Sequence, residues 1–210
     1  MKVRHIQRRA LAAVVAFAAV VAVTSGVAEG SNATTVDPAV PGGPFCSSIP
    51  AQGEGSFAGM ADDPVATAAS NNPYLTTLTS AVEAAGLIDT LNGEGPFTIL
   101  APSNEAFAAV PQSDLDAVLA DNELLMSTLT YHVVAGKSLS AAELVAAGTV
   151  VSVQGGELRF TADEDGALVV NAGEAMATCW DITTANATVH VIDRVLLSGA
   201  REGRDCFVRC

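Results

Sequence analysis

Apolar positions divide the chain into a helical first part and a strand-forming last part. Leu75, Leu78, Val82 and Ala85 recur at helical spacing, and Gly86 follows as a stop. Two start signals precede them. Asp63-Pro64 stands before Val65–Ser70 and Asn72-Pro73 before Tyr74–Gly86, each a cap residue ahead of a proline at the first helical position. Then the period changes. Phe97–Leu100 reads as a short buried strand ended by Pro102. Ser103 is placed to cap a helix through Asn104–Val110, and Ser113 another through Asp114–Asp121. A third runs over Asn122–Thr130, with Leu124, Leu125, Thr128 and Leu129 facing one way. Tyr131–Val134 is short and apolar, and Ser140 opens a helix that Gly148 stops. After it the pattern is β: a strand at Thr149–Val153, then a hairpin of Glu157–Thr161 and Ala167–Asn171 around Asp163–Gly166. Further strands are expected at Ala175–Ile182 and Thr188–Leu197. The pattern predicts one α+β domain over residues 60–197, without internal repeats.

The two ends follow other rules. Lys2, Arg4, Arg8 and Arg9 form a basic start, Ala10–Val23 is an apolar run of 14 residues, and Gly26-Val27-Ala28 offers small residues for cleavage. This is the pattern of a secretory signal peptide over residues 1–28. The run is shorter than the roughly 20 residues needed to span a bilayer, so no stable membrane anchor is expected. Residues 29–59 are rich in Pro, Gly, Ser and Thr and read as a leader, flexible except where Cys46 ties it down. Residues 198–210 form a polar tail. Asn32-Ala33-Thr34 and Asn186-Ala187-Thr188 are sequons, relevant only if the source glycosylates.

Composition now carries more meaning. The 210 residues are 50% hydrophobic but only 5% aromatic, and the formal charge is −13. The signal segment takes four of the ten basic residues and no acid. What remains holds six Lys and Arg against 23 Asp and Glu, a formal charge of −17. That balance excludes nucleic acid as a partner, since phosphate binding needs clustered cations. Self-repulsion predicts a soluble monomer.

Four Cys lie beyond the signal: Cys46, Cys179, Cys206 and Cys210. An even count in an exported chain points to disulfides, and four Cys allow three pairings. Proximity favours Cys206 with Cys210, leaving Cys46 with Cys179; a cross-link between chains through the tail is the alternative. By loop-closure entropy the long bridge contributes about 5 kcal/mol and the short ring about 2 kcal/mol.

Candidate chemistry is sparse. Past the signal the only His are His132 and His190, no G-x-S-x-G elbow occurs, and no Cys stands beside a base. No catalytic residue, metal or cofactor is therefore assigned. The acidic run Asp163-Glu164-Asp165-Gly166 lacks the alternating ligands of a calcium loop and reads as a solvated turn. His132, with Tyr131 before it, reads as a buried His whose ring nitrogens bond backbone at a helix–strand junction, with recognition as the rival role. His190 alternates with Val189 and Val191 and reads as a structural or solvent-facing His.

Three blocks carry a family resemblance: Phe97–Phe107 (FTILAPSNEAF), Leu129–Gly136 (LTYHVVAG) and Ala187–Leu197 (ATVHVIDRVLL). In order and spacing they resemble the fasciclin domain family. Within it the chain is similar to secreted antigens of mycobacteria and their actinobacterial relatives, on the stretches around Pro41–Cys46, Met60–Gly86 and Ala177–Val189. The resemblance implies a β-wedge or sandwich with several helices packed on it, and a bridge from Cys46 to Cys179. It also implies a non-enzymatic adhesion or interaction module with an unknown protein, envelope or host-surface partner. Tyr131 and His132 then become candidates for interaction or core roles, and His190 and Asp193 mark the closing strand. Carriage of a small apolar ligand or lipid is the rival function, and hydrolysis of envelope material a more distant one.

Overall fold

The computed structural model describes residues 40–197. The expected signal peptide, the start of the leader with Asn32, and the tail with Cys206 and Cys210 lie outside the described residues. A 3-10 turn at Pro44–Ser48 leads into helices α1 (Phe57–Asp62), α2 (Val65–Asn71), α3 (Thr76–Ala84) and α4 (Ile88–Leu91). Strand β1 (Phe97–Pro102) follows, then α5 (Asn104–Ala108), α6 (Gln112–Ala120) and α7 (Asn122–Tyr131). The remainder is β2 (Val133–Ala135), α8 (Ala141–Ala147), β3 (Thr149–Val151), β4 (Glu157–Ala162), β5 (Leu168–Val170), β6 (Ala175–Thr183) and β7 (Ala187–Ile192).

The strands form one sheet in the order β2-β1-β7-β6-β5-β4-β3. Only β1 and β7 run parallel, with Ile99 opposite Val189 and Leu100 opposite His190. Past β3 the chain returns to the far edge, where the Val153 N–H donates to the Val133 carbonyl at 2.7 Å. The sheet thus curls towards closure, which protects both edges. It has a core on each face. Ile99, Ala101, Val189, Val191 and Ile182 pack under helices α1, α2, α3 and α7. Leu100, Val134, Ile192, Phe160 and Leu168 fill the inside of the curl with Leu144 of α8. Strand β7 is shared by both cores, and its last four residues are all buried. This two-sided burial explains its near-continuous apolar sequence.

Helix limits follow local chemistry. Ser103 accepts from the Ala106 N–H at 3.2 Å and caps α5 as expected. Ser140 and Glu143 form a full capping box on α8, and the backbone N–H of Ser140 holds the Glu143 carboxyl below its usual range. Gly86, at φ 68°, closes α3 with N–H bonds from Gly86 to Glu83 and from Leu87 to Val82. Other expectations are corrected. Ser113 does not cap α6; the helix starts two residues earlier, at Gln112 after Pro111. Leu124 does not share the buried face of Leu125, Thr128 and Leu129, because it sits in the exposed first turn of α7. Asp63 and Asn72 do not cap α2 and α3. Their first N–H groups are taken by distant amides: Asn186 Oδ1 accepts from Val65, Asn92 Oδ1 from Ala66 and Asn104 Oδ1 from Thr77. The last strand ends at Ile192 rather than Leu197, since Asp193 turns its carboxylate onto the β6 backbone.

Asn186 also donates to the carbonyls of Leu91 and Gly93, both at 2.8 Å. Its amide is fully spent inside the fold, so this sequon offers no free acceptor for a glycan. Replacing Asn186 with Ala should cost about 3 kcal/mol, at about 1 kcal/mol for each of its three bonds. A urea melt within about 0.5 kcal/mol of the parent would contradict that role.

The packed chain begins well before Met60. Gly42 exchanges two backbone bonds with Trp180, Ile49 is buried, and Ser56 caps α1. Cys46 and Cys179 are bonded, with Cα atoms 5.0 Å apart at a sequence separation of 133. The bridge fastens the segment before α1 to the middle of β6. Loop-closure entropy over that span predicts that the double change Cys46→Ala with Cys179→Ala destabilises by about 2–5 kcal/mol. Equal urea midpoints for the two proteins would rule this out.

Candidate functional site

The two His lie on opposite cores but share one design. His132 follows the last turn of α7 and is 3% exposed. Its Nδ1 lies 2.8 Å from the Thr128 carbonyl, and its Nε2 accepts the Leu196 N–H at 3.0 Å. The second contact requires an unprotonated Nε2, so Nδ1 carries the proton and donates to Thr128. His190 is fully buried in β7. Its Nδ1 accepts the Asp181 N–H at 3.3 Å, which leaves Nε2 to donate to the Leu139 carbonyl at 3.0 Å. Both rings are neutral bridges between backbone segments. His190 is therefore not solvent-facing.

Burial sets their acidity. Desolvation lowers the pKa of His132 to about 4, against the opposing pull of the Thr128 carbonyl. Desolvation likewise lowers that of His190, opposed by the Leu139 carbonyl and the Asp181 carboxylate. The Asp181 carboxylate stands 4.0 Å from His190 Nδ1, yet it does not make the ring an imidazolium. That nitrogen already accepts a hydrogen bond, and the carboxylate accepts the Ala141 N–H at 2.7 Å. Asp181 holds φ at 62° to reach the start of α8, a positive value that its sequence context gives no sign of.

Tyr131 is 8% exposed. Its hydroxyl donates to the Glu157 carbonyl and accepts from Asn171 Nδ2, both at 3.1 Å. The ring lies so close to Gly156 that a Cβ there would sit 2.8 Å from Cε2. Asn171, missed in the sequence, also accepts the Arg159 N–H and donates to Glu174. Asp193 brackets Met176: its carboxylate accepts the Met176 N–H at 2.7 Å and its own N–H donates to the Met176 carbonyl at 3.0 Å. The structure thus does not gather Tyr131, His132, His190 and Asp193 into one reactive centre. It spends each on fixing a neighbouring segment.

Asp163 turns its carboxylate onto the N–H groups of Asp165 and Ala167, closing its own hairpin turn. Among the described residues no group of three or more His, Cys, Asp or Glu could hold a metal ion. An apolar void of about 50 Å³ lies between α2–α4 and the sheet, with Leu78, Val82, Leu91 and Val189 in its wall. Among the described residues no helix is long and apolar enough to cross a membrane.

A seven-stranded mixed sheet with helices on it, pinned by buried Tyr-His and closing-strand residues, defines a class. The chain belongs to the fasciclin domain family, which matches residues 73–198. It is 45% identical over 187 residues to the cell surface glycolipoprotein MPT83 of Mycobacterium tuberculosis, covering 85% of this chain and 82% of the relative. It is 43% identical over 194 residues to the immunogenic protein MPT70 of the same species, covering 86% and 97%. The fold is similar to a FAS1 domain pair of the insect cell adhesion molecule Fasciclin I, with a TM-score of 0.56 at 19% identity. That match covers 67% of this chain and 52% of the pair. The family is non-enzymatic.

The buried His give a pH prediction. Unfolded His has a pKa near 6.5 and takes up a proton below it, while folded His132 does not until about pH 4. Stability is therefore full above about pH 6.5 and falls as pH drops towards 4, by about 1.4 kcal/mol per pH unit from His132 alone. His190 adds in the same sense. Unfolding free energies that stay level between pH 6.5 and 5 would refute the assignment of neutral buried rings.

Proposed function

We propose that the chain acts outside the cell as an adhesion or interaction module, docking a protein partner of the envelope or of a host surface. The observation that carries this reading is the fate of the motif side chains. Tyr131, His132 and His190 are buried and bonded to fixed partners, so none of these motif side chains stands free at an open site. What the domain offers is a rigid surface. The similarity to a cell surface glycolipoprotein supports an extracellular location, as does the signal-like start of the sequence.

Carriage of an apolar ligand has one observation in its favour, the void under α2–α4. Its size decides against a lipid, because ligand pockets run to about 300–1,000 Å³ and this one holds about 50 Å³. An acyl chain would need the helices to separate from the sheet. Native mass spectrometry of protein from its own source should show the bare mass of the processed chain.

Crosslinking the processed protein to intact cells of its source, or to host cells, tests the main reading. Saturable attachment that unlabelled protein displaces is expected. Attachment no greater than that of an acidic control protein would sink it.

A further inference from the structure

The motif residues are scattered through the cores, yet three of them hold segments that meet at one place. Tyr131 bonds Asn171 in the turn between β5 and β6. His132 bonds the N–H of Leu196 in the segment after β7. Asp193 brackets Met176 and so fixes the point from which Arg194 departs. These two segments and the link from α5 to α6 enclose an open cleft of about 780 Å³. Its size lies within the roughly 300–1,000 Å³ of ligand sites.

The turn at the cleft is strained. Asn171 and Ala172 have φ of 52° and 58°. Residues other than glycine hold such values only where their surroundings over-determine them. Here the surroundings do: Asn171 is held by Arg159 through both its N–H and its Oδ1, by Tyr131, and by Glu174. The opposite wall carries Arg194. The described residues contain three Lys or Arg, namely Lys137, Arg159 and Arg194. Arg194 forms no ion pair or side-chain hydrogen bond with any described residue, although the chain is rich in carboxylates. An unpaired guanidinium at the rim of a rigid cleft is a receptor for a planar oxyanion.

The lining narrows the ligand. Ala106, Ala109, Val110, Pro111 and Val195 give one small apolar wall, the facing turn is polar with the Glu174 carboxylate accepting from Asn171 Nδ2, and no aromatic ring lines the cleft to stack a sugar. The acidic surface disfavours a polyanion. We infer that the cleft between the β5–β6 turn and Arg194 binds the free carboxyl terminus of a partner protein whose last residues are small and apolar, with the carboxylate on Arg194. This rests on the interaction reading above and gives that reading a site and a partner chemistry.

The test is a ¹⁵N NMR titration of the full processed chain with the peptide acetyl-Ala-Ala-Val-Ala as free acid, and with the same peptide amidated. Saturable shifts are expected at residues 106–111, 171–174 and 194–197, with affinity reduced about tenfold or more for the amide. Arg194→Gln should bind both forms equally weakly while keeping its native spectrum, since the side chain is exposed and unpaired. Equal affinity of acid and amide for the parent, or shifts centred elsewhere, would overturn the inference. So would NOE contacts from Phe207 or Val208 into the cleft, which would make the chain's own tail its occupant. If Arg194→Gln still attaches to cells like the parent, the cleft assignment fails and the interaction reading stands. If the free acid binds as described but cells do not bind, the reading fails and the cleft remains.

Discussion

A neutral imidazole can join two backbone segments that do not bond each other directly, and this fold relies on two such joints. His132 links the end of α7 to the chain beyond β7, and His190 links β7 and β6 to the loop before α8. Each joint needs one nitrogen to donate and the other to accept. Protonation removes the acceptor and places a charge in an apolar core. Proper closure of the segments around β7 therefore depends on the rings staying neutral, and burial keeps them so. Since β7 is shared by both cores, losing either joint would loosen packing on both sides of the sheet.

The surplus of carboxylates acquires a local logic in the same frame. The described residues have no ion pair between Lys or Arg and a carboxylate. Acids instead stand in the first turns of α4, α5, α6, α7 and α8, as Asp89, Glu105, Asp114, Glu123 and Glu143. Among the described residues no helix has a basic residue in its last turn. Carboxylates at helix starts meet the positive end of the backbone dipole, at roughly 0.3–1 kcal/mol each. A domain can thus be strongly acidic without relying on cations to balance it, which is why Arg194, with no ion-pair partner among the described residues, stands out.

Local rules made much of the fold legible. The periodicity of α3, the Ser caps of α5 and α8, the acidic hairpin turn and the apolar run of β7 all state their own structure in neighbouring residues. The signals that failed were overruled from a distance. Asn186, Asn92 and Asn104 cap helices up to 121 residues away, so the nearer Asp63 and Asn72 were poor guides. Short α1 and α4 lack a period long enough to read and exist because they bury Met60 and flank the void above the sheet. Of the candidate residues, the spacing placed His132 at a helix–strand junction correctly. It could not show that Asn171 and Asp181 adopt positive φ, because both values are imposed by partners far along the chain.

That distinction bears on how the Tyr-His pair acts. A side chain 3% or 8% exposed cannot be the surface a partner touches. Yet Tyr131 sets the turn at Asn171, and His132 sets the segment containing Leu196, and both segments reach the surface at the same cleft. A change in either residue would reach a binding partner by moving a wall, with loss of stability as its companion. A change at Arg194 would remove a contact and leave the walls in place. The buried motif and the exposed cation therefore have separable signatures: one couples recognition to folding, the other does not. The Tyr-His pair is then a positioning element, and within the closing block Ala187–Leu197 it is the exposed Arg194, not the buried His190, that is free to meet a ligand.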